Sequence, residues 1–139
     1  MYIVNGCIPV GAASAAEHPG RNPPVTDAKA LDELLPLTPV AFHILVSLAE
    51  GPRHGYAIAQ EVEELTDGRV VMGPGTLYGS LQRMLASHLI EEADNPGQDG
   101  LHSERRRYYR MSALGRAALR SESERLFRAV RVARERLGT

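Results

Sequence analysis

The residues of this chain best suited to chemistry are its arginines. Residues 103–136 hold eleven arginines and four glutamates, a net charge of +7 in a chain whose formal net charge is −1. Three of these, Arg105, Arg106 and Arg107, are adjacent. Adjacent guanidinium groups bind phosphates or enter a minor groove. The pattern favours a polyanionic or charge-matched partner. The alternatives are a solvated arginine-rich helix face for the segment and, for the three adjacent arginines, a strand edge protected from aggregation.

Catalytic patterns are much weaker. The glycine-rich stretch from Gly73 to Gly79 lacks the spacing of a dinucleotide-binding loop and the Lys-Ser/Thr of a phosphate-binding loop. The five histidines place no pair on one helical face, and the single cysteine, Cys7, excludes an internal disulfide and a multi-cysteine zinc site. We therefore expect no enzyme activity, no catalytic residue, no cofactor and no metal site.

Capping residues and apolar spacing predict three short helices ahead of the arginines. Thr38 and Pro39 suit the cap and the first position of a helix that residues 51–52, Gly-Pro, would end. A second helix is predicted from 55 to 65, where Thr-Asp-Gly follows. Pro74 is suited to open the third.

Two strands and a long helix are predicted next. Residues 89–93 and 107–111 have the composition of strands, and the polar, turn-rich segment 94–106 between them would form the tip of a β-ribbon. Ser112 can cap the last helix, which we expect to end near Leu137.

The third helix has the pattern of a DNA-recognition helix. Three helices followed by a basic hairpin is the order of a winged helix-turn-helix, whose third helix enters the major groove. Gly75 and Gly79 would let the backbone approach DNA closely, and Tyr78 lies at the margin. The alternative is an amphipathic helix whose small residues pack internally. With Leu77 and Leu81 buried, the opposite face holds Thr76, Gly79, Gln82, Arg83 and Ala86.

The last helix carries a heptad pattern, with Phe127 beside it. A seam of this kind on a terminal helix favours pairing with a second copy of the chain. Packing against the first helix of its own chain is the alternative, and both can hold in part. The seam residues are Leu119, Ser123, Leu126, Val130, Ala133 and Leu137.

The chain is thus predicted to be mainly α with a small β-hairpin: a winged helix-turn-helix plus a long C-terminal dimerisation helix. We expect a flexible leader over residues 1–36, with one or two helical turns from Thr26 to Leu35. Residues 37–111 would form the DNA-binding domain and 112–139 the dimerisation helix. No run of about 18 apolar residues and no secretory signal occur, so we expect a cytoplasmic protein without a membrane partner.

Several ordered motifs resemble those of the PadR family of bacterial transcriptional regulators. The resemblance spans about Leu37 to Gly115, and the single C-terminal helix is similar to the short subclass of the family. The motifs are Leu37-Thr38-Pro39, His54-Gly55-Tyr56, Pro74-Gly75-Thr76-Leu77-Tyr78, Leu81 with Arg83, Leu89-Ile90, Arg107-Tyr108-Tyr109-Arg110, Ser112 and Gly115.

The resemblance implies a homodimer that binds double-stranded DNA, commonly as a repressor at a palindromic operator. By position, the family's DNA contacts fall on Tyr56, on Thr76, Tyr78 and Gly79, and on the arginines of the β-ribbon, which is the wing (Arg105, Arg106 and Arg107). The last helix supplies the family's dimer contact. Some relatives bind aromatic ligands in or near the dimer interface. A small aromatic or hydrophobic effector would here meet Phe42, Leu126, Phe127 and Val130.

The chain departs from the family pattern at two helix positions. Gly73 stands where serine is common and Gly79 where proline is common, and the chain has no tryptophan. The competing hypothesis is a winged-helix adaptor that docks a partner protein without specific DNA binding. The predicted DNA-binding residues are Tyr56, Gly75, Thr76, Tyr78, Gly79, Arg83, Arg105, Arg106 and Arg107. The predicted dimerisation residues are Leu119, Leu126, Phe127, Val130, Ala133 and Leu137.

Overall fold

The computed structural model describes residues 28–95 and 106–139. Over these ranges the chain forms five helices and one three-stranded antiparallel sheet, in the predicted order of elements with one short strand added. The elements are α1 (Ala28–Leu34), α2 (Pro39–Leu48), β1 (Arg53–His54), α3 (Gly55–Leu65), α4 (Pro74–Ala86), β2 (Ile90–Ala93), β3 (Tyr108–Met111) and α5 (Ala113–Leu137).

Side-chain caps fix where three of the helices begin. The Thr38 hydroxyl accepts the Ala41 N–H at 3.1 Å ahead of α2. The Ser112 hydroxyl accepts the Gly115 N–H at 2.9 Å ahead of α5. His54 caps α3, which the sequence did not predict. At α4, Gly73 provides no side-chain cap, and Pro74 alone favours the helix start.

The sheet has one strand more than the predicted hairpin. β3 lies at its centre and pairs antiparallel with β2 on one side and with β1 on the other. β1 is only two residues long, and His54 stands opposite Tyr108. A pairing over more than fifty residues leaves no local pattern, so the sequence did not predict it. The other strands start at Ile90 and Tyr108, one residue later than predicted.

The core lies between α2, α3, α4, the sheet and the first turns of α5. Ala118 of α5 is fully buried, and a Cβ at Gly115 would collide with the carbonyl oxygen of Leu89. α5 therefore packs closely on the start of β2. The largest apolar side chains of this core include Ile44, Leu45, Leu48, Ile58, Val62, Leu81, Met84 and Tyr109.

α1 lies in the last part of the predicted leader, within the helical turns predicted from Thr26 to Leu35. Its Leu31 and Leu34 pack against the core, so this part of the predicted leader is packed against the domain. Residues 1–27 lie outside the described residues. The division at residue 36 stays a prediction.

A buried carboxylate ties the α1–α2 link to α5. Glu122 is 2% exposed, and its Oε2 accepts the Leu37 backbone N–H at 3.1 Å. The Arg125 guanidinium donates to both carboxylate oxygens, at 2.9 and 2.8 Å. These bonds to Arg125 are the main cause that lowers the pKa of Glu122 from the ordinary 4.5, against the opposing effect of burial.

No single helix of the described residues is long and apolar enough to cross a bilayer. α1 and α2 reach the required length and composition only when counted together, and they are bent by 118° at the break between them.

Candidate nucleic-acid interface

α4 presents the face that its sequence predicted. Leu77, Leu81 and Met84 are buried in the core. The opposite side carries exposed Thr76, Gln82, Arg83 and Ala86, with Gly79 half-buried. This face contains a small polar group, an amide and a guanidinium, the types of side chain that contact base edges in a major groove.

The two glycines of this face are not required by the packing of the chain itself. A Cβ at Gly75 would have no neighbour within 4 Å. At Gly79 it would meet only the Arg83 Nη1, at an ordinary 3.6 Å. Neither residue has a positive φ. The absent side chains therefore leave open surface that an external molecule can approach.

The start of α3, the ring of Tyr78 from α4 and the base of the wing converge on one polar cleft. The cleft has a volume of about 450 Å³. A Cβ at Gly55 would lie 3.0 Å from the Tyr78 hydroxyl, so the glycine lets that ring lie against the helix start. The N-terminus of a helix carries a partial positive charge. The residues that line the cleft are His54, Gly55, Tyr56, Tyr78, Arg106 and Arg107.

His54 organises this cleft. Its Nδ1 accepts the Ala57 N–H at 3.2 Å, and its ring stacks on that of Tyr56 with centroids 6.5 Å apart. Its Nε2 lies 3.1 Å from Arg106 Nη1. This contact joins the wing to the start of α3 and holds the Arg106 guanidinium at the cleft.

The wing arginines differ in their pairing. Within residues 28–95 and 106–139, no carboxylate lies within 4.0 Å of the Arg106 guanidinium. Arg107 is 4.0 Å from Glu92, with both side chains largely exposed. Arg110 is paired with Glu91 at 2.8 Å. Arg106 and Arg107 are therefore the better candidates for binding an external anion.

Arg107 also connects the cleft to the core. Burial raises the pKa of the Tyr109 hydroxyl, while a side-chain hydrogen bond to Arg107 and its charge oppose that rise. Tyr109 is 2% exposed. The Arg107 guanidinium thus interacts with a buried tyrosine of the sheet.

The structure brings together most of the predicted DNA-binding residues. Tyr56 (66% exposed) and Tyr78 (47% exposed) flank the cleft with Arg106 and Arg107, and the exposed face of α4 carries the others. Arg105 lies outside the described residues. The sequence patterns did not identify His54 as part of this cleft. The available signal was its position directly before the start of α3.

The predicted dimer face begins within the domain and continues beyond it. Leu119 is half-buried and packs against the chain's own core. Leu126 is half-buried and Ala133 exposed. Phe127 is 69%, Val130 54% and Leu137 76% exposed. Large apolar side chains on a projecting helix indicate an interaction surface.

The sequence matches the model of the transcriptional regulator PadR-like family over residues 44–121, more than half of the chain. It is also 35% identical over 85 residues to an uncharacterised 37.1 kDa protein of transposon Tn4556 from Streptomyces fradiae. That alignment covers 61% of this chain and 22% of the relative, so the chain spans about a fifth of that relative's length.

Two solved structures share the fold. A PadR family transcription regulator from Clostridium difficile R20291 has a TM-score of 0.59 at 24% identity, covering 73% of this chain and 100% of that one. A homodimeric winged helix-turn-helix DNA-binding domain from Mycobacterium bovis has a TM-score of 0.50 at 20% identity, covering 92% and 93%. These likenesses, together with the long helix α5, confirm the predicted fold class.

Proposed function

Because the chain belongs to the PadR-like family of transcriptional regulators, we propose that it is a homodimeric repressor that binds a palindromic operator. α4 contacts base edges, the wing and the start of α3 hold the phosphate backbone, and α5 pairs the two subunits. The domain boundaries follow the same division, with DNA binding in residues 37–111 and dimerisation in 112–139.

The observation that carries the DNA contact is the cleft at the start of α3. It combines two guanidinium groups, two exposed tyrosines and a helix N-terminus within one concave surface. Helix N-termini and arginines are the common donors to DNA phosphates, and such contacts fix the orientation of the protein on the duplex. A phosphate in this cleft would accept from the guanidinium of Arg106, which lies 3.1 Å from His54 Nε2.

A phosphate held there positions α4 for the major groove. Tyr78 belongs both to the cleft and to α4, so the backbone contact and the groove contact are rigidly linked. Thr76 and Arg83 then face base edges, and the open surfaces at Gly75 and Gly79 allow close approach of the helix backbone. Arg105, next to Arg106 in the chain, extends the set of wing arginines.

The dimer is supported by the exposed apolar residues of α5. Leu126, Phe127, Val130, Ala133 and Leu137 lie on the part of α5 beyond Glu122. Pairing α5 with the same helix of a second copy covers them, and it places two recognition helices on one duplex. Half-sites about 34–36 Å apart, one duplex turn, are the expected spacing.

The site specificity of the proposed repressor is tested on the duplex that lies upstream of its own gene. Fluorescence anisotropy with random competitor DNA measures the dissociation constant at several salt concentrations. We expect nanomolar binding that weakens steeply with salt and is lost when Arg105, Arg106 and Arg107 are all changed to alanine. Binding no tighter than to random DNA would exclude self-regulation. No binding to any duplex at low salt would contradict DNA binding and favour a protein partner.

A further inference from the structure

The short strand β1 connects the wing to the helices of the domain. It pairs antiparallel with β3, the strand that directly follows the wing arginines, with Arg53 opposite Tyr109 and His54 opposite Tyr108. Strands in globular proteins usually have at least about three residues, so a strand of two residues offers little backbone pairing of its own. Its place beside β3 therefore depends on what its two side chains contact.

Arg53 fastens β1 to two helices at once. Its Nε donates to the backbone carbonyl of Ser47, in the last turn of α2, at 2.7 Å. Its Nη2 forms an ion pair with the Glu61 carboxylate of α3 at 2.9 Å. The last carbonyls of a helix lack partners within the helix and carry a partial negative charge, which suits a guanidinium at this position. The two side chains are only 32% and 29% exposed, so water screens this ion pair less than one on the open surface.

The second residue of β1 contacts the wing. The His54 ring meets that of Tyr108 edge-on, with centroids 5.5 Å apart, and its Nε2 lies 3.1 Å from Arg106 Nη1. Its Nδ1 accepts the Ala57 N–H at the start of α3. Successive side chains of a strand lie on opposite faces, so Arg53 lies on the side of β1 away from the polar cleft that His54 lines. Arg53 thus fixes the backbone from which His54 reaches the wing.

We propose that Arg53 is a positioning residue for DNA binding, which sets the place of the wing relative to α3 and α4 without contacting the duplex itself. The proposal rests on the proposed function, in which Arg106 and Arg107 hold phosphates. Once β1 is released from α2 and α3, these two guanidinium groups lose their fixed distance from the recognition helix. The phosphate contacts and the groove contact then no longer form together at full strength.

Removal of the partner of Arg53 separates positioning from direct contact with DNA. If Arg53 bound a phosphate itself, Glu61→Ala would free the guanidinium and remove a negative charge, and DNA would bind more tightly. The proposal predicts the reverse, that Glu61→Ala and Arg53→Met each weaken binding about tenfold in fluorescence anisotropy. Glu63→Ala, which removes an exposed glutamate of the same helix, is the matched control and should not weaken binding. Unchanged or tighter binding by Glu61→Ala would overturn the proposal.

Salt dependence measures how many phosphate contacts depend on Arg53. Arg53→Met should reduce the slope of log affinity against log salt by about 1.8, the loss of two wing contacts, whereas one direct contact accounts for about 0.9. The Arg106→Gln and Arg107→Gln double variant has no wing contact left to misplace, so Arg53→Met should change its affinity less than about twofold. An undiminished effect of Arg53→Met in that double variant would overturn the proposal, because Arg53 would then act on DNA directly or on the fold in general.

Amide hydrogen exchange of the full chain without DNA tests the attachment of β1 alone. Arg53→Met should speed exchange over residues 53–57 about tenfold, since local opening governs exchange, and leave residues 77–84 of α4 unchanged. Arg53→Gln takes its place should circular dichroism show that Arg53→Met is unfolded. Unchanged exchange over residues 53–57 would overturn the positioning role.

The two kinds of measurement also separate this proposal from the proposed function. Should exchange respond while the wild type binds no duplex, the proposed function fails and the attachment of β1 by Arg53 stands. Should the wild type bind its duplex while Arg53→Met and Glu61→Ala change neither affinity nor exchange, the positioning role fails alone.

Discussion

The side-chain carboxylate of Glu122 accepts the backbone N–H of Leu37 across 85 positions of sequence, at 3.1 Å. This bond joins α5 to the α1–α2 link and lies where the helix passes from its packed part to its exposed part. Arg125, half exposed, donates to the same carboxylate and neutralises its charge. The acid is thus fully satisfied although it is buried.

Removal of this carboxylate should destabilise the domain. We expect Glu122→Ala to lower the free energy of unfolding by about 2–3 kcal/mol, because the Leu37 N–H loses its acceptor and the charged bonds to Arg125 are lost. Urea denaturation measures the change. Glu124→Ala, an exposed glutamate of the same helix, is the matched control and should change stability by less than about 0.5 kcal/mol. Equal effects of the two variants would contradict this role of Glu122.

The same residue should make stability depend on acidity. Its pKa is lowered in the folded protein, so its contribution is complete above the ordinary carboxyl value of 4.5 and declines as the pH falls toward the lowered one. The stability difference between the wild type and Glu122→Gln should therefore shrink below pH 4.5. Urea denaturation at pH 7 and at several acidic values measures it. A difference that stays constant with pH would show that the carboxylate charge contributes nothing.

Wing arginines should set the salt dependence of DNA binding. Each phosphate contact adds about 0.9 to the slope of log affinity against log salt. Arg106→Gln and Arg107→Gln should each lower affinity and reduce the slope by about that amount. Arg110→Gln is the matched control on the adjoining strand, since Arg110 is paired with Glu91. Slopes that respond to Arg110→Gln and not to the other two would place the phosphate contact elsewhere.

The glycines of α4 should matter for DNA and not for folding. Gly75→Ala and Gly79→Ala meet no close neighbour within the chain, and alanine favours a helix by up to about 1 kcal/mol. We expect both variants to be as stable as the wild type or more stable, yet to bind DNA at least tenfold more weakly. Thermal unfolding and anisotropy measure the two effects. Undiminished DNA affinity would mean that the helix backbone does not approach the duplex at these positions.

Exposed apolar residues of α5 should hold the dimer together. Phe127→Ser and Val130→Asp should shift the sedimentation coefficient from that of a dimer to that of a monomer. A hydroxyl or a carboxylate buried between the paired helices would have no partner on the facing helix. Val71→Ser is the control, since Val71 is 67% exposed outside α5. A dimer that persists in both α5 variants, or a wild type that sediments as a monomer, would contradict pairing through this helix.

Local signals gave the correct boundaries for much of the fold. Thr38, Ser112 and Gly138 cap helix ends by hydrogen bonds to residues within one helical turn. The starts of α2 and α5 and the end of α5 were therefore predictable. The exposed face of α4 followed from the periodicity of Leu77 and Leu81.

Long-range contacts were not predictable in the same way. The pairing of β1 with β3, the burial of Glu122 and the approach of Arg106 to His54 each join residues more than fifty positions apart. No periodicity or capping preference encodes such a contact. The polar cleft at the start of α3 therefore emerged only from the structure.

Selection of duplexes from a random library by the full-length protein is the most direct test of this account. It requires no knowledge of the regulated genes. We predict that one sequence family is enriched, with two inverted half-sites centred about one duplex turn, 34–36 Å, apart, and that the Arg106→Gln and Arg107→Gln double variant retains it less well. Recovery of unrelated sequences, with no repeated half-site, would contradict an operator-binding dimer.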